Sequence, residues 1–251
     1  MITLEHKIVP VIDRAANGIM DSSSCLGRSP HFVEHLVVAT VADFTEGEIV
    51  EDLVKELNAA MALSGVLATH VGKCEHMFGG DHTFMIHIRA IDKASCDAAY
   101  SAALEVCGKH LNCLNIDDGA EDQLGETIVV DFYSKVIGAL DAKWPAIRIA
   151  IFQYKKDTPQ EKKESLIQVL SLLPTMFPAV KQVSWGRNIA KERTYRKHYG
   201  YADADLGVIL GFSSCQDMYA LGEDPRYWEL LNHHGTSRLE RYEVFTLCTT
   251  S

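Results

Sequence analysis

The sequence predicts an α+β chain in which one β-α-β-β-α-β unit occurs twice. Two observations carry that expectation. Segments recur at offsets of 113 to 119 residues: HLVVATVADFT (35–45) is answered by RIAIFQYKKDT (148–158), GVLATHVGK (65–73) returns as AVKQVSWGR (179–187), SCDAAY (95–100) as SCQDMY (214–219), and TIVVDFY (127–133) is answered by YEVFTLC (242–248). Strand-like alternation and helical periodicity also follow one another in the same order in both copies. A period this long marks a whole small domain, since solenoid units repeat every ~20–50 residues.

In the first copy, HFVEHLVVATVADF (31–44) reads as a strand and EGEIVEDLVKELNAAMAL (46–63) as a helix capped by Thr45. GVLATHVGK and DHTFMIHIRA (81–90) are the next two strands. KASCDAAYSAALEVCGKHL (93–111) is the second helix and GETIVVDFY (125–133) the last strand. In the second copy, IRIAIFQY (147–154) alternates as a strand. Thr158-Pro159 then offers an N-cap and a first-turn proline, with Glu161 beyond, for a helix that Pro174 and Pro178 should end. VKQVSWGRN (180–188) and DLGVILGFSS (205–214) are strands, helical sequence broken at Pro225 follows, and LERYEVFTLC (239–248) closes the copy.

This order is the split βαβ, or ferredoxin-like, arrangement, a four-stranded antiparallel sheet with both helices on one face. The bare face needs a cover, and a second copy supplies it. The fold expected is therefore two ferredoxin-like domains, 31–140 and 141–251, packed sheet to sheet, with residues 1–30 as an N-terminal extension. IVPVI (8–12) would be an extra strand or a strap, and 112–124 an acidic insertion.

Composition narrows the function classes. The chain has 251 residues and a net charge of −10, but residues 1–141 carry 9 Lys and Arg against 22 Asp and Glu, whereas 142–251 carry 15 against 12. The acidic half argues against nucleic acid or an anionic membrane as partner. No apolar run approaches the ~20 residues of a membrane span. MITLEHKIVPVIDR resembles neither a secretory signal nor a transit peptide, so a cytoplasmic protein is expected. The seven cysteines, without a CxxC pair, read as buried thiols. There is no glycine-rich phosphate loop, G-x-S-x-G elbow or HExxH motif.

IRIAIFQYKKDTPQEK, then VKQVSWGRNI, then GVILGFSSCQDMYALGEDPRYWEL resembles the stress-responsive dimeric α/β barrel (Dabb) family. Its most specific parts are Trp185-Gly186-Arg187-Asn188 and the stretch from Tyr219 to Asp224-Pro225. The first copy matches more weakly, through VEHLVV, Val71-Gly72-Lys73 and Tyr100. The resemblance implies an intramolecular dimeric α/β barrel, like the tandem members of the family. Some members are stress proteins without an established reaction. Others, among them olivetolic acid cyclase and a plant hydroxynitrile lyase, are cofactor-independent enzymes that use the cavity between sheet and helices.

The resemblance also implies site residues. Cyclase-like members use a strand-one His, a Tyr in the second helix region and a His in a His-Pro-x-His segment. His35 and Tyr100 occupy the first two places in copy one, and His110 is the nearest candidate for the third, at altered spacing. Copy two has Arg148 opposite His35, retains Tyr219, and carries Asp224-Pro225-Arg226-Tyr227 where the motif would stand. His35, Tyr100 and His110 are thus the catalytic candidates, because a near-neutral base suits proton abstraction and a phenol suits an enolate oxygen. Arg148, Tyr219 and Tyr227 are binding candidates, with His70 and His87, which join His35 in one pocket if all three strands turn them inward.

Two readings follow. One is a cofactor-independent lyase, cyclase or isomerase acting on a small, partly apolar molecule; it needs a pocket of a few hundred Å3 onto which His35 opens. The other is a non-catalytic binding or stress-responsive protein. A metal or haem protein is a third, weaker reading, and no cofactor or metal is expected. The sequence leaves association into a homodimer open. KERTYRKHYG (191–200) reads as a solvated loop.

Overall fold

Phe32–Ala39, Phe84–Ala90 and Leu206–Phe212 are buried at every position. A strand is buried along its whole length only when both of its faces are covered, and the architecture covers both. The structure, a computed structural model, describes residues 32–39, 47–77, 84–109, 128–139, 143–189 and 204–249. Its elements are β1 (Phe32–Ala39), α1 (Gly47–Ala60), β2 (Val66–His76), β3 (Phe84–Ala90), α2 (Lys93–Lys109) and β4 (Ile128–Ile137), then β5 (Ala146–Tyr154), α3 (Gln160–Met176), β6 (Val180–Asn188), β7 (Leu206–Phe212), α4 (Cys215–Glu223), α5 (Pro225–His234) and β8 (Leu239–Cys248).

Within each half the strands pair antiparallel in ferredoxin-like order, β4-β1-β3-β2 and β8-β5-β7-β6. The halves then join edge to edge, β2 on β8 and β6 on β4, and the sheet closes into an eight-stranded barrel. Among the described strands, closure leaves no edge with unpaired backbone groups. The expected sheet-to-sheet packing takes this form.

Pleat alternation divides the apolar residues into an inner and two outer clusters. Leu36, Val38, Phe132, Ile149, Ile209 and Phe245 fill the barrel interior. Val33, Val37 and Ile88 meet α1 and α2 on the outside of the first half. Phe152, Leu210 and Val208 meet α3, α4 and α5 on the second. Two inward glycines make room for aromatic plugs. A Cβ on Gly207 would lie 2.6 Å from the Phe132 ring, and one on Gly211 would lie 2.3 Å from the Trp144 indole.

Several local expectations change. Thr158 does not cap α3; its hydroxyl donates to the Arg238 carbonyl, and Pro159 holds the cap position. Pro174 sits inside α3, which runs on to Met176. There its missing N–H affects only the last turn. The Pro225 break is built as a cap: the Asp224 carboxylate accepts from the Arg226 N–H, and Pro225 opens α5. Cys215 and Cys248 form a disulfide across a Cα separation of 5.8 Å, which corrects the expectation of free thiols for this pair. Cys74, Cys96 and Cys107 are buried, and burial pushes the Cys74 thiol up to about 12 and Cys107 to about 11. Thr45, His110 and the segments 1–30, 112–124 and 191–200 lie outside the described residues.

Candidate functional site

Strand register decides which candidates meet. His35 pairs with Ile88 of β3 and Asp131 of β4, so all three share the outer face beneath the helices. Glu34, Leu36, His87 and Arg89 take the opposite, inward face, and His70 pairs directly with His87. The three strand histidines therefore do not converge: His70 and His87 are inside the barrel and His35 is outside it. Among the described residues no group of three or more His, Cys, Asp or Glu is placed to hold a metal ion.

His35 and Tyr100 do come together. The rings are 4.2 Å apart and tilted by 51°. His35 Nδ1 donates to the Asp131 carboxylate, while among the described residues Nε2 has no hydrogen-bond partner. Donation from Nδ1 leaves the lone pair of the neutral imidazole on Nε2, the tautomer a general base needs. Yet His35 is 1% exposed, with Val33, Val37, Ala99 and Ala103 in the surrounding outer core. The expectation that His35 opens onto a pocket is not met. Asp131 escaped the sequence reading, although a carboxylate inside the apolar run TIVVDFY was a visible signal.

Inside the barrel lies a saturated polar layer. The Glu34 carboxylate receives His87 Nε2–H at 2.7 Å and Arg89 Nε and Nη2 at 3.3 and 3.2 Å. Arg89 reaches across to the second half, donating to Gln182 Oε1 at 2.6 Å and Ser184 Oγ at 3.2 Å. His70 Nδ1 is 3.1 Å from His87 Nδ1, and the Trp144 N–H donates to His70 Nε2 at 3.2 Å. One tautomer set satisfies this whole chain: His70 donates through Nδ1 and His87 through Nε2. Burial by itself would raise the Glu34 carboxyl, but the Arg89 guanidinium and the His87 N–H hold it well below the usual carboxylate range. Burial lowers both His70 and His87, so both are neutral. With its acceptors and donors engaged internally, this layer is structural. Glu34 and Arg89 were missed in the sequence, although each is a charge within a strand that is apolar but for one histidine.

The second half holds a cavity. It has a volume of about 20 Å3 and lies between the outer face of β5 and β8 and helices α3 and α5, with Met77 at the seam to the first half. Arg148 and Tyr227 both line it. Arg148 is 3% exposed; its Nη2 donates to the Met218 carbonyl at 3.0 Å, while among the described residues Nε and Nη1 have no hydrogen-bond partner. The Tyr227 ring lies 6.0 Å from the guanidinium carbon, and burial raises its phenol despite Arg148. Tyr219 is elsewhere: it is 45% exposed and donates to Glu75 Oε2 at 3.2 Å, tying α4 to β2.

A closed barrel with a ferredoxin-like unit on each side, and space between sheet and helices, defines an α/β barrel protein. Residues 147–245 match the Stress responsive A/B Barrel Domain family. Across both halves the fold is similar to a proposed monooxygenase from Fusobacterium nucleatum subsp. nucleatum (10% identity, TM-score 0.61, covering 88% of this chain and 93% of that one). It is also similar to a proposed monooxygenase from Lactobacillus acidophilus (13%, TM-score 0.55, 86% and 93%) and to an anthrone oxidase-like protein (13%, TM-score 0.51, 89% and 95%). At such identities the likeness is one of fold. No curated protein matches the chain by sequence. Among the described residues no helix is long and apolar enough to cross a membrane.

Proposed function

We propose that this protein binds a small, partly apolar molecule between the sheet and helices of its second half. The observation that carries this is the cavity walled by Phe152, Leu166, Trp228, Leu231 and Tyr242, which lies within the segment that matches the family. Its volume suffices for about one water, so a ligand enters by displacing α5 side chains. Trp228 reports such an event, because its ring lines the cavity while its Nε1 is pinned to the Gly222 carbonyl at 2.6 Å. A screen of small amphipathic compounds against the full chain should yield ligands that raise Tm and shift tryptophan emission. Ala150→Phe, which places a ring into the cavity from β5, should abolish both responses at a cost of about 1–3 kcal/mol in stability. A150F binding every ligand as the wild type does would exclude this cavity.

The hydrogen bond from His35 to Asp131 favours a second reading, acid–base catalysis in the first half. His35 Nε2 would abstract a proton from an activated carbon and Tyr100 would stabilise the resulting enolate, once α2 lifts to admit substrate. Proton–deuterium exchange on β-dicarbonyl compounds in D2O tests it. His35→Gln should lower enzyme-dependent exchange by about 10²- to 10⁴-fold. Exchange at the wild-type rate in that variant removes the reading.

A further inference from the structure

Among the described residues two arginines are buried, and they are treated in opposite ways. Arg89, 1% exposed, has a carboxylate at 3.2 Å and two neutral acceptors, so its charge is matched inside the protein. Arg148, 3% exposed, has one backbone carbonyl and the neutral Tyr227 phenol beside it. Among the described residues no carboxylate forms an ion pair with it, and two of its three guanidinium nitrogens have no acceptor. Guanidinium does not shed its proton in proteins, so the charge cannot be relieved by titration. A buried cation is retained when something compensates it, and a planar fork of free N–H groups matches a carboxylate in shape as well as sign.

The surroundings fit an anion carried on an apolar body. Gly222 lets the guanidinium lie against α4, since a Cβ there would be 2.9 Å from Nη2. Beyond the guanidinium the cavity wall is apolar and aromatic: Phe152, Leu166, Trp228, Leu231 and Tyr242. A fully hydrated inorganic anion would gain nothing from those walls, whereas a hydrocarbon or aromatic tail would. The local charge agrees, since residues 142–251 carry 15 Lys and Arg against 12 Asp and Glu.

We propose that Arg148 is the recognition site for the carboxylate of a small amphipathic acid whose apolar body lies along the α5 side of the cavity. This rests on the pocket reading above and adds the chemical class of its ligand. The head group meets Arg148 Nε and Nη1, and the tail replaces the side chains that now close the cavity.

A matched pair of probes tests it on the full chain: octanoate and octanamide, with acetate and chloride as small-anion controls, followed by titration calorimetry and tryptophan emission. Octanoate should bind at least tenfold more tightly than octanamide, and far more tightly than acetate or chloride. Arg148→Met should abolish the preference for the acid while keeping the affinity for octanamide. Arg148→Lys, which keeps charge but loses the fork, should fall between them. Equal binding of acid and amide to the wild type overturns the proposal and leaves the pocket reading standing. An unchanged preference in R148M also overturns it, as does acetate or chloride binding as tightly as octanoate. Failure of both octanoate and octanamide to bind, when other ligands from the screen do, overturns this proposal alone; failure of all ligands removes the pocket reading with it. If R148M does not fold, the wild-type comparison of acid with amide still decides.

Discussion

At the scale of single residues, the barrel interior shows how burial couples to charge. Glu34 and Arg89 neutralise each other, and breaking such a pair costs more than the pair contributes, because the survivor is an uncompensated buried ion. His70 and His87 enter the same layer neutral, since burial lowers both below the ordinary histidine value of 6.5. The linkage sign follows. Below about pH 6.5 the unfolded chain binds a proton at each histidine that the folded chain does not, so stability rises with pH across that window. Their contribution is fully present above about pH 6.5 and is lost on acidification at about 1.4 kcal/mol per pH unit for each histidine, until the folded form titrates. Glu34 adds loss in the same direction, starting only below its unfolded value of about 4.5. Unfolding by denaturant should therefore show the free energy dropping by about 1–3 kcal/mol between pH 7.5 and 5.5. His70→Gln should reduce that slope. A flat profile from pH 7.5 to 5.5 in the wild type would show that these histidines do not enter the barrel neutral.

At the scale of elements, periodicity and punctuation made most strands and helices legible. The strand 180–188 coincides with β6, and Pro225 marks the junction of α4 and α5. What periodicity cannot show is which face of a strand a given residue takes once both faces are buried. VEHLVV carries Glu34 and His35 side by side, one inside the barrel on Arg89 and the other outside on Asp131. That division depends on pairing with β3 and β4, residues more than fifty positions away in sequence. The same limit explains the histidines: equal residue types on three strands met as a pair and a single, because register fixes the face. Tyr219 and Tyr227 differ for a helical reason. They lie on separate short helices divided at Asp224, so one turns to Glu75 at the seam and the other to Arg148 in the cavity. Cys215 and Cys248 are 33 residues apart in sequence, and only the docking of α4 on the end of β8 brings them together.

At the scale of the molecule, the halves depend on each other for edges, core and charge. β2 pairs with β8 through Cys74–Leu247 to His76–Phe245, and β4 pairs with β6 from Phe132–Asn188 to Ile137–Val183. Separation would expose both pairs of edges and the inward faces carrying Leu36, Val38, Ile149 and Phe245. It would also deprive Arg89 of Gln182 and Ser184, leaving a buried guanidinium with fewer acceptors. Open apolar edges bind one another, so a half expressed alone should not persist as a monomer. Residues 141–251 alone should self-associate, through the same edges that now receive β2 and β4. Mixing with residues 1–140 should convert that species to a one-to-one complex, because the cross-barrel bonds of Arg89 exist only in the heterologous pairing, and the unlike net charges of the halves favour encounter. Light scattering coupled to size-exclusion chromatography distinguishes these states. A monodisperse monomer of 141–251 with the full chain's Tm would show that the second half closes its own edges, and that the first half is an attachment to it.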